Sequence, residues 1–422
     1  MKHIGPRSRM SATAMLGSYA SLFRSTPGWA RFSVPGLIAR FPASMTGMAL
    51  VLLFSRRAGY TYAGAIAGAY AMASAATAPL VGRVIDRRGQ RPVLWSMTSA
   101  YAACLCALVG AWIAAANPYL QMGLAAAAGA TVPRTGPMIR ARWSSLLRGT
   151  PELHTALAWE STLDQVIFTA GPILVGILSS VAHPIFALLA LLIMSVTGSL
   201  GLAVATPGEP TATAPPLNLT HARPRTHELP ILQLSFIGLG AVFGALQIAV
   251  LAATGAQHSG VSGGIVLGAW SAGSLVAAVA LGHRRSPTNT TRRLVISACA
   301  MPLALLPMVW AANMGWLTLC ALVAGSTVSP LMVSVTALVE SHTASSRMVE
   351  ALAWNSAALG LGSTAGSCIS GAVADHLGAT HALTVPVIAA LLGACLALMG
   401  CFLLGRRPSV DDRPLRRGGC KC

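Results

Sequence analysis

The stretch ALAWESTLDQVIFTAGPILVG, residues 156–176, aligns without a gap on ALAWNSAALGLGSTAGSCISG, residues 351–371. At this spacing of 195 residues Thr169 falls on Thr364, Ala170 on Ala365, Gly171 on Gly366 and Gly176 on Gly371. A second block repeats 200 residues apart, Gly64-x-x-x-Gly68-Ala69-Tyr70 against Gly264-x-x-x-Gly268-Ala269-Trp270, and Gly82 and Gly282 each follow fourteen residues later. Small residues recur by chance in Ala/Gly-rich helices, so one block alone decides little. Two blocks in the same order at nearly one offset mark the duplication of a unit.

Composition says what the unit is. Of 422 residues, 54% are hydrophobic and only 9% charged, where soluble domains carry about 25% charged residues. Apolar runs near the length a helix needs to cross the hydrocarbon core fall at roughly 34–54, 61–83, 92–115, 118–139, 156–180, 183–205, 231–253, 260–282, 293–312, 315–338, 351–374 and 380–404. Six spans per copy predict an all-α integral membrane protein, twelve transmembrane helices arranged as two pseudo-twofold-related six-helix bundles. The bundles take residues 34–206 and 231–405, with a cytoplasmic segment at 1–33, a linker at 207–230 and a basic cytoplasmic tail at 406–422. The linker is rich in Pro and Thr and cannot bury a core. Its Asn218-Leu219-Thr220 has the glycosylation pattern but falls on the cytoplasmic side of this topology.

The net charge of +18 is distributed as membrane topology requires, since Lys and Arg collect in cytoplasmic loops. Arg83, Arg87, Arg88 and Arg91, then Arg140, Arg142 and Arg148, then Arg223 and Arg225, then Arg284, Arg285, Arg292 and Arg293, then Arg347 lie between alternate spans; the intervening loops hold only Arg56 and Arg57. Both termini are expected in the cytoplasm and the chain in the cytoplasmic membrane. Nucleic-acid binding by counter-ion release needs one contiguous basic face, which this distribution denies. The expected partners are the lipid bilayer, a small-molecule substrate and protons, and the expected state is a monomer.

Most cysteines sit in or beside apolar spans, where they pack as small hydrophobes; Cys420-Lys421-Cys422 ends the tail. Residues 1–30 lack the apolar core of a signal peptide, and Met10 and Met15 stand as alternative starts to Met1. There is no HExxH, no paired-Asp metal site within a span and no phosphate-cradling glycine loop after a strand. Neither a metal, a cofactor nor an enzymatic activity is expected, and the absence of a P-loop argues against direct ATP drive.

After the second span comes Gly82-Arg83-Val84-Ile85-Asp86-Arg87-Arg88-Gly89-Gln90-Arg91, which closely resembles the loop signature of the major facilitator superfamily at that family's position. The overall wording resembles an actinobacterial branch of its drug-efflux-type members. The resemblance implies that Gly82 permits close helix approach and that Asp86 and Arg87, with Gly89 and Arg91 completing the pattern, belong to a charge relay that latches the two halves in an outward-facing state. The second half has Ser286 in place of the aspartate, so the latch is one-sided. A plainer role is also open: Asp86 neutralises a basic loop and caps the third helix, worth about 1 kcal/mol at most. Gly171-Pro172-Ile173-Leu174-Val175-Gly176 partly resembles the superfamily's antiporter signature, which implies export. Pro172 removes a backbone donor and is expected to kink the fifth helix.

Four ionisable residues fall inside spans, Arg40, Arg134, Glu160 and Asp164. Each costs about 3 kcal/mol at a helix centre by insertion scales, which makes them functional candidates. Glu160 and Asp164 are i, i+4 on one helix face, and two carboxylates so close disfavour double ionisation, a property a proton carrier needs. Arg40 lies at a similar depth on the first helix and is expected to pair with one of them. Three readings stay open for this group: a permanently paired cluster orienting helices one and five, proton coupling or cationic-substrate binding, and exposure to the cytoplasm. For Arg134, snorkelling to the inner surface and a role in the site are equally open. The polar, uncharged cavity candidates are Gln247 and Asn355. Trp159 and Trp354 either stack on a substrate or anchor the membrane interface.

Duplicated six-helix halves imply a substrate site between them and alternating access by rocking. The leading expectation is proton-coupled efflux of an amphipathic or cationic compound. The alternatives are an uptake permease or uniporter for a sugar or organic acid, and a transport-inactive membrane sensor or assembly partner.

Overall fold

The computed structural model describes residues 21–24, 26–150, 152–181, 183–209, 228–255, 260–283, 290–311, 313–342 and 348–405. Met1, Met10, Met15, the Asn218–Thr220 pattern, Ser286, Arg347, Cys420 and Cys422 lie outside the described residues. The described chain is helical: α1 (Ala30–Arg88), α2 (Gln90–Ile113), α3 (Pro118–Thr131), α4 (Thr135–Leu146), α5 (Glu152–Val181), α6 (Pro184–Val204), α7 (Glu228–Ala253), α8 (Gly260–His283), α9 (Thr290–Leu305) with a 3-10 turn Leu306–Trp310, α10 (Met314–Gly325), α11 (Val328–His342), α12 (Met348–His376), the short α13 (Ala379–Ala382) and α14 (Thr384–Gly405). Ten stretches are long and apolar enough to cross a membrane. The first, α1, holds two spans, separated at Gly59, whose φ of 76° and ψ of 178° lie outside helical geometry in a region that only glycine enters freely. Together with the α3–α4 pair, whose two pieces make up one crossing, the spans among the described residues number twelve. The molecule is a polytopic all-α membrane protein.

Two expected spans break near their middle, while the ninth closes in the 3-10 turn and the twelfth opens with the short α13. The fourth breaks between Thr131 and Thr135 and the tenth between Gly325 and Val328. Pro133 lacks an N–H and pushes Val132 into an extended conformation (ψ 128°). Pro137 and Pro330 are each the third residue of the restarted helix, where a missing N–H costs nothing. The fifth and eleventh spans also begin earlier than expected, at Glu152 and Met348. Trp159 and Glu160 therefore lie two turns inside α5 rather than at its end.

The halves are built alike. A side-chain carbon at Gly129 would collide with the carbonyl oxygen of Tyr70, and one at Gly325 with that of Trp270. The same close helix crossing thus occurs once in each half, on the two residues that close the second repeated block. The repeated blocks also form the seam between the halves. Along α1 and α12, a carbon at Gly64 would lie 2.5 Å from the carbonyl oxygen of Ser367, Gly68 faces Thr364, Gly371 faces the carbonyl of Tyr60 and Gly360 meets Ala75. Thr364 Oγ1 donates to the carbonyl of Gly68 at 2.9 Å. Along α5 and α8, Gly176 meets Gly260, Gly264 meets the carbonyl of Pro172 and Gly268 meets Ile173. Each half thus lays one block on the other block of its partner half, as a pseudo-twofold axis requires. Lipid gives helices no hydrophobic reason to associate, so close backbone approach at small residues supplies the packing.

Candidate functional site

The ionisable residues of α1 and α5 meet. Arg40 Nη2 pairs with Glu160 Oε2, and Arg40 Nη1 lies 2.7 Å from Asp164 Oδ1. Arg140 Nη2, on α4, takes the other oxygen of Asp164 at 2.5 Å. Glu160 Oε1 also accepts from Trp143 Nε1 at 2.7 Å and from Ser33 Oγ at 3.2 Å. The cluster holds two acids and two arginines and is electrically balanced. Its members differ in access: Glu160 is fully buried, whereas the Asp164 side chain is 26% exposed and Arg140 43%. Charges of one sign buried without partners are expensive, and a matched set with its lone pairs satisfied is the form in which they persist. Arg140 was expected in a cytoplasmic loop; because α4 continues through Leu146, it reaches back to Asp164 instead.

Arg142 was expected in the same loop and is fully buried. Its Nη1 and Nη2 donate to the carbonyls of Ala205 and Leu202 at 2.6 and 3.0 Å, and its Nε to Gln90 Oε1 at 2.8 Å. It places a positive charge on the unsatisfied carbonyls at the end of α6, the arrangement that complements a helix C-terminus. Gln90, inside the loop signature, also donates to the carbonyl of Met138 at 3.1 Å. This loop is tied to α4 and α6 through its glutamine. No hydrogen bond or ion pair joins the Asp86 or Arg87 side chain to another described residue, and a carbon at Gly82 would meet nothing within 4 Å. The close approach expected at Gly82 is not present in this conformation; the glycine contacts of α1 with α12 among the described residues run no further than Ala75.

At the opposite end the seam is tied by a residue that the sequence did not single out. The carboxylate of Asp375, at the end of α12, accepts from the backbone N–H of Tyr60 at 2.9 Å and of Thr61 at 2.7 Å. Tyr60 donates its hydroxyl to the carbonyl of Leu251 in α7 at 3.1 Å. The second arm of α1 begins at Gly59, so Asp375 caps its free N–H groups across the seam with a charge that the helix dipole favours.

The remaining candidates are dispersed. A carbon at Gly47 would lie 3.0 Å from Gln247 Nε2, so this amide of α7 rests on the first arm of α1. Asn355 is buried with neither side-chain polar atom hydrogen-bonded. Trp159 packs edge-on against Phe23, centroids 5.2 Å apart, and Trp354 is 60% exposed, which suits an interfacial anchor. Gly171 rests against Ser44 of α1 and Gly176 against Gly260, so the antiporter-like glycines are contact points on either side of α5. That helix is continuous from Glu152 to Val181 with Pro172 inside it, although the proline nitrogen cannot supply the bond to the carbonyl four residues before it. Among the described residues no group of three or more His, Cys, Asp or Glu is placed to hold a metal ion.

Two six-helix halves, packed on each other along paired glycine contacts of α1 with α12 and of α5 with α8, define a polytopic protein of transporter architecture. The chain belongs to the Major Facilitator Superfamily, whose family model matches residues 33–345. The fold is similar to that of the nucleoside transporter NupG, with a TM-score of 0.70, 15% identity and coverage of 90% of this chain and 99% of that one. The human organic anion transporter MFSD10 matches with a TM-score of 0.56, 17% identity and coverage of 94% and 99%. A structure titled for substrate recognition in proton-dependent oligopeptide transporters matches with a TM-score of 0.63, 12% identity and coverage of 90% and 99%. At such identities these likenesses concern the fold alone. No protein with a curated description matches.

Proposed function

We propose that this protein is a secondary transporter of the cytoplasmic membrane that exports a small amphipathic compound against protons by alternating access. Basic loops at the Asp86 end assign that end, and both termini, to the cytoplasm. On that assignment the Asp375 end is the closed outer gate and this conformation opens inward. The observation that carries the reading is the one-sided seam: the glycine contacts of α1 with α12 lie between Gly59 and Ala75, those of α5 with α8 lie on the matching stretch, the two others join Gly47 to Gln247 and Gly260 to Leu52, and among the described residues none is found near Gly82.

Export rests on the Gly171-Pro172 resemblance and on the drug-efflux-type wording of the chain. The two carboxylates of the cluster divide the work. Glu160, fully buried and bonded to three side chains, braces α5 against α1 and α4. Asp164, part-exposed between two arginines, is the group that takes up and releases the proton. An inward-open state in which both acids are ion-paired is the one expected after proton release. The cationic substrate of the leading expectation loses support, because each buried acid already has its arginine.

The test is flux in proteoliposomes, with and without a pH gradient, for wild type, Asp164→Asn and Glu160→Gln. Asp164→Asn should fold normally, retain downhill flux and lose gradient-driven accumulation. Glu160→Gln should lower folded yield. A wild type that binds solutes but moves none under any gradient would leave the sensor alternative standing in place of transport.

A further inference from the structure

The two halves give Arg134 an internal control. Shifted by the 195 residues of the first repeat, Arg134 corresponds to Ser329, and by the 200 residues of the second, Ser74 corresponds to Ser274. The contacts correspond as well. In the first half Arg134 Nη2 donates to the carbonyl of Ser74 and lies 3.1 Å from its Oγ. In the second half Ser329 Oγ donates to the carbonyl of Ser274 at 2.8 Å and lies 2.7 Å from its Oγ. Arg134 is the residue just before the restarted helix of its span, and Ser329 is the second residue of its own. A serine is therefore enough to tie the restarted helix to its neighbour, and one nitrogen of Arg134 does the same. The rest of the guanidinium has no structural counterpart.

That remainder is a positive charge without an acid. The two acids of the neighbouring cluster, Glu160 and Asp164, are taken by Arg40 and Arg140. Arg134 Nε is buried without a hydrogen-bond partner, and no ion pair involves Arg134 among the described residues. Nor does it snorkel: Ser74 stands at the middle of the second arm of α1, so the guanidinium is held at mid-depth. Ser74 is also the neighbour of Ala75, the last residue of α1 in glycine contact with α12 among the described residues. A side-chain carbon at Gly136 would lie 3.8 Å from Arg40 Cδ, which sets Arg134 beside the balanced cluster without adding an acid.

From this surplus the geometry points to Arg134 as the binding site for the anionic group of the substrate, a monocarboxylate carried on a small apolar body. The inference deepens the transport reading by naming a substrate class. One arginine neutralises one charge, and a doubly charged phosphate would bring an unmatched charge into a low-dielectric site. A carboxylate instead matches the planar donor fork of the guanidinium.

The experiment uses purified full-length protein with three probes of similar size: benzoate, its neutral isostere benzamide, and the benzyltrimethylammonium cation. The variant is Arg134→Ser, the residue that the other half uses for the same bonds, with Arg134→Lys as a charge-keeping control. Binding is read by titration calorimetry and flux in proteoliposomes. Benzoate should bind and the other two should not. Arg134→Ser should unfold near the wild-type temperature yet bind benzoate about tenfold or more weaker, as expected for a lost charge-assisted hydrogen bond, and Arg134→Lys should fall between. If Arg134→Ser proves unstable, the lysine variant and the benzoate-against-benzamide comparison in wild type still decide the matter. Failure of wild type to prefer benzoate, or full retention of that preference in a folded Arg134→Ser, overturns the proposal. Arginine-dependent binding of benzoate without flux would keep the anion site and overturn transport, whereas flux of neutral or cationic probes unaffected by Arg134→Ser would do the reverse.

Discussion

Asp375 accepts the backbone N–H of Tyr60 at 2.9 Å across the seam between the halves, and the residue before Tyr60 has the one glycine conformation within α1 that lets this happen. A side-chain carbon at Gly59 would sit 2.8 Å from Asp375 Oδ2 on a backbone of φ 76°. Two changes therefore reach the same contact from opposite sides. Asp375→Ala removes the charge from the helix N-terminus, and Gly59→Ala obstructs its seat. A capping charge at a helix N-terminus contributes about 0.5–2 kcal/mol, enough to move the balance of two conformations several-fold. Spin labels on Val181 and Leu377, both exposed at this end and on different halves, should report a longer distance in either variant. An unchanged distance distribution would mean that Asp375 caps the helix without helping to hold the gate.

The glycines separate stability from conformation. Gly129 packs on Tyr70 within the first half, and Gly64 packs on Ser367 between the halves. Gly129→Ala should destabilise every conformation by about 1–3 kcal/mol, the usual cost of overpacking, and lower the unfolding temperature. Gly64→Ala obstructs only the closed seam, so it should lengthen the Val181–Leu377 distance while changing the unfolding temperature little. Equal thermal losses in the two variants would show that the seam does not open as a unit.

The fold was legible because its decisive residues are repeated: the blocks that match at offsets of 195 and 200 are the ones that pack on each other across the pseudo-twofold axis. The site was legible only in part. Arg40, Glu160 and Asp164 stand out as charges within apolar runs. Arg140 and Arg142 do not, because a helix that continues past the apolar run looks the same in sequence as a basic loop. Nothing in a linear reading marks Ser33 and Trp143 as partners of Glu160, since their meeting depends on how α1, α4 and α5 pack. Asp375, a lone acid beyond a span, resembles any solvated loop residue until Gly59 is seen opposite. The breaks in the fourth and tenth spans had a signal in Pro133, Pro137 and Pro330, outweighed by the apolar run around each.

At the sealed end His183 makes stability depend on pH. Its Nδ1 accepts the N–H of Ile185 at 3.3 Å at the start of α6, which requires that nitrogen to be unprotonated. Burial, and then the charges of Arg56 and Arg57, hold the imidazole below its ordinary value. A group with a folded value lowered in this way stabilises the fold above its unfolded value, near 6.5, and loses that contribution as pH falls through the folded value. Amide exchange at the start of α6, corrected for intrinsic rates, should accelerate as pH drops below about 6.5. His183→Asn keeps a capping oxygen without a titrating group, so its exchange should stay flat across the same range. Parallel pH profiles in the two proteins would remove the imidazole from the account.

The pairing of Arg40 with Glu160 and Asp164 makes its energetics testable by a cycle rather than by single changes. Glu160→Gln leaves Arg40 with one acid and weakens the bonds from Trp143 and Ser33, and Arg40→Met leaves two acids with only Arg140. Removing one member of a buried pair costs about 3–5 kcal/mol, whereas replacing both with apolar groups of similar size is often nearly neutral. Arg40→Met alone should therefore be the least stable of the series, and Arg40→Met with Glu160→Met should recover much of the loss. Asp164 then keeps Arg140 as its partner at 2.5 Å, so the double variant also isolates the proton reading. If Asp164 couples transport by itself, gradient-driven flux survives in the double variant; if it needs the charge of Arg40 to favour release of its proton, the protein folds but flux no longer responds to the gradient. Additive losses from the two single changes would mean that Arg40 and Glu160 do not act as a unit, and the brace assigned to Glu160 would then have to rest on Trp143 and Ser33.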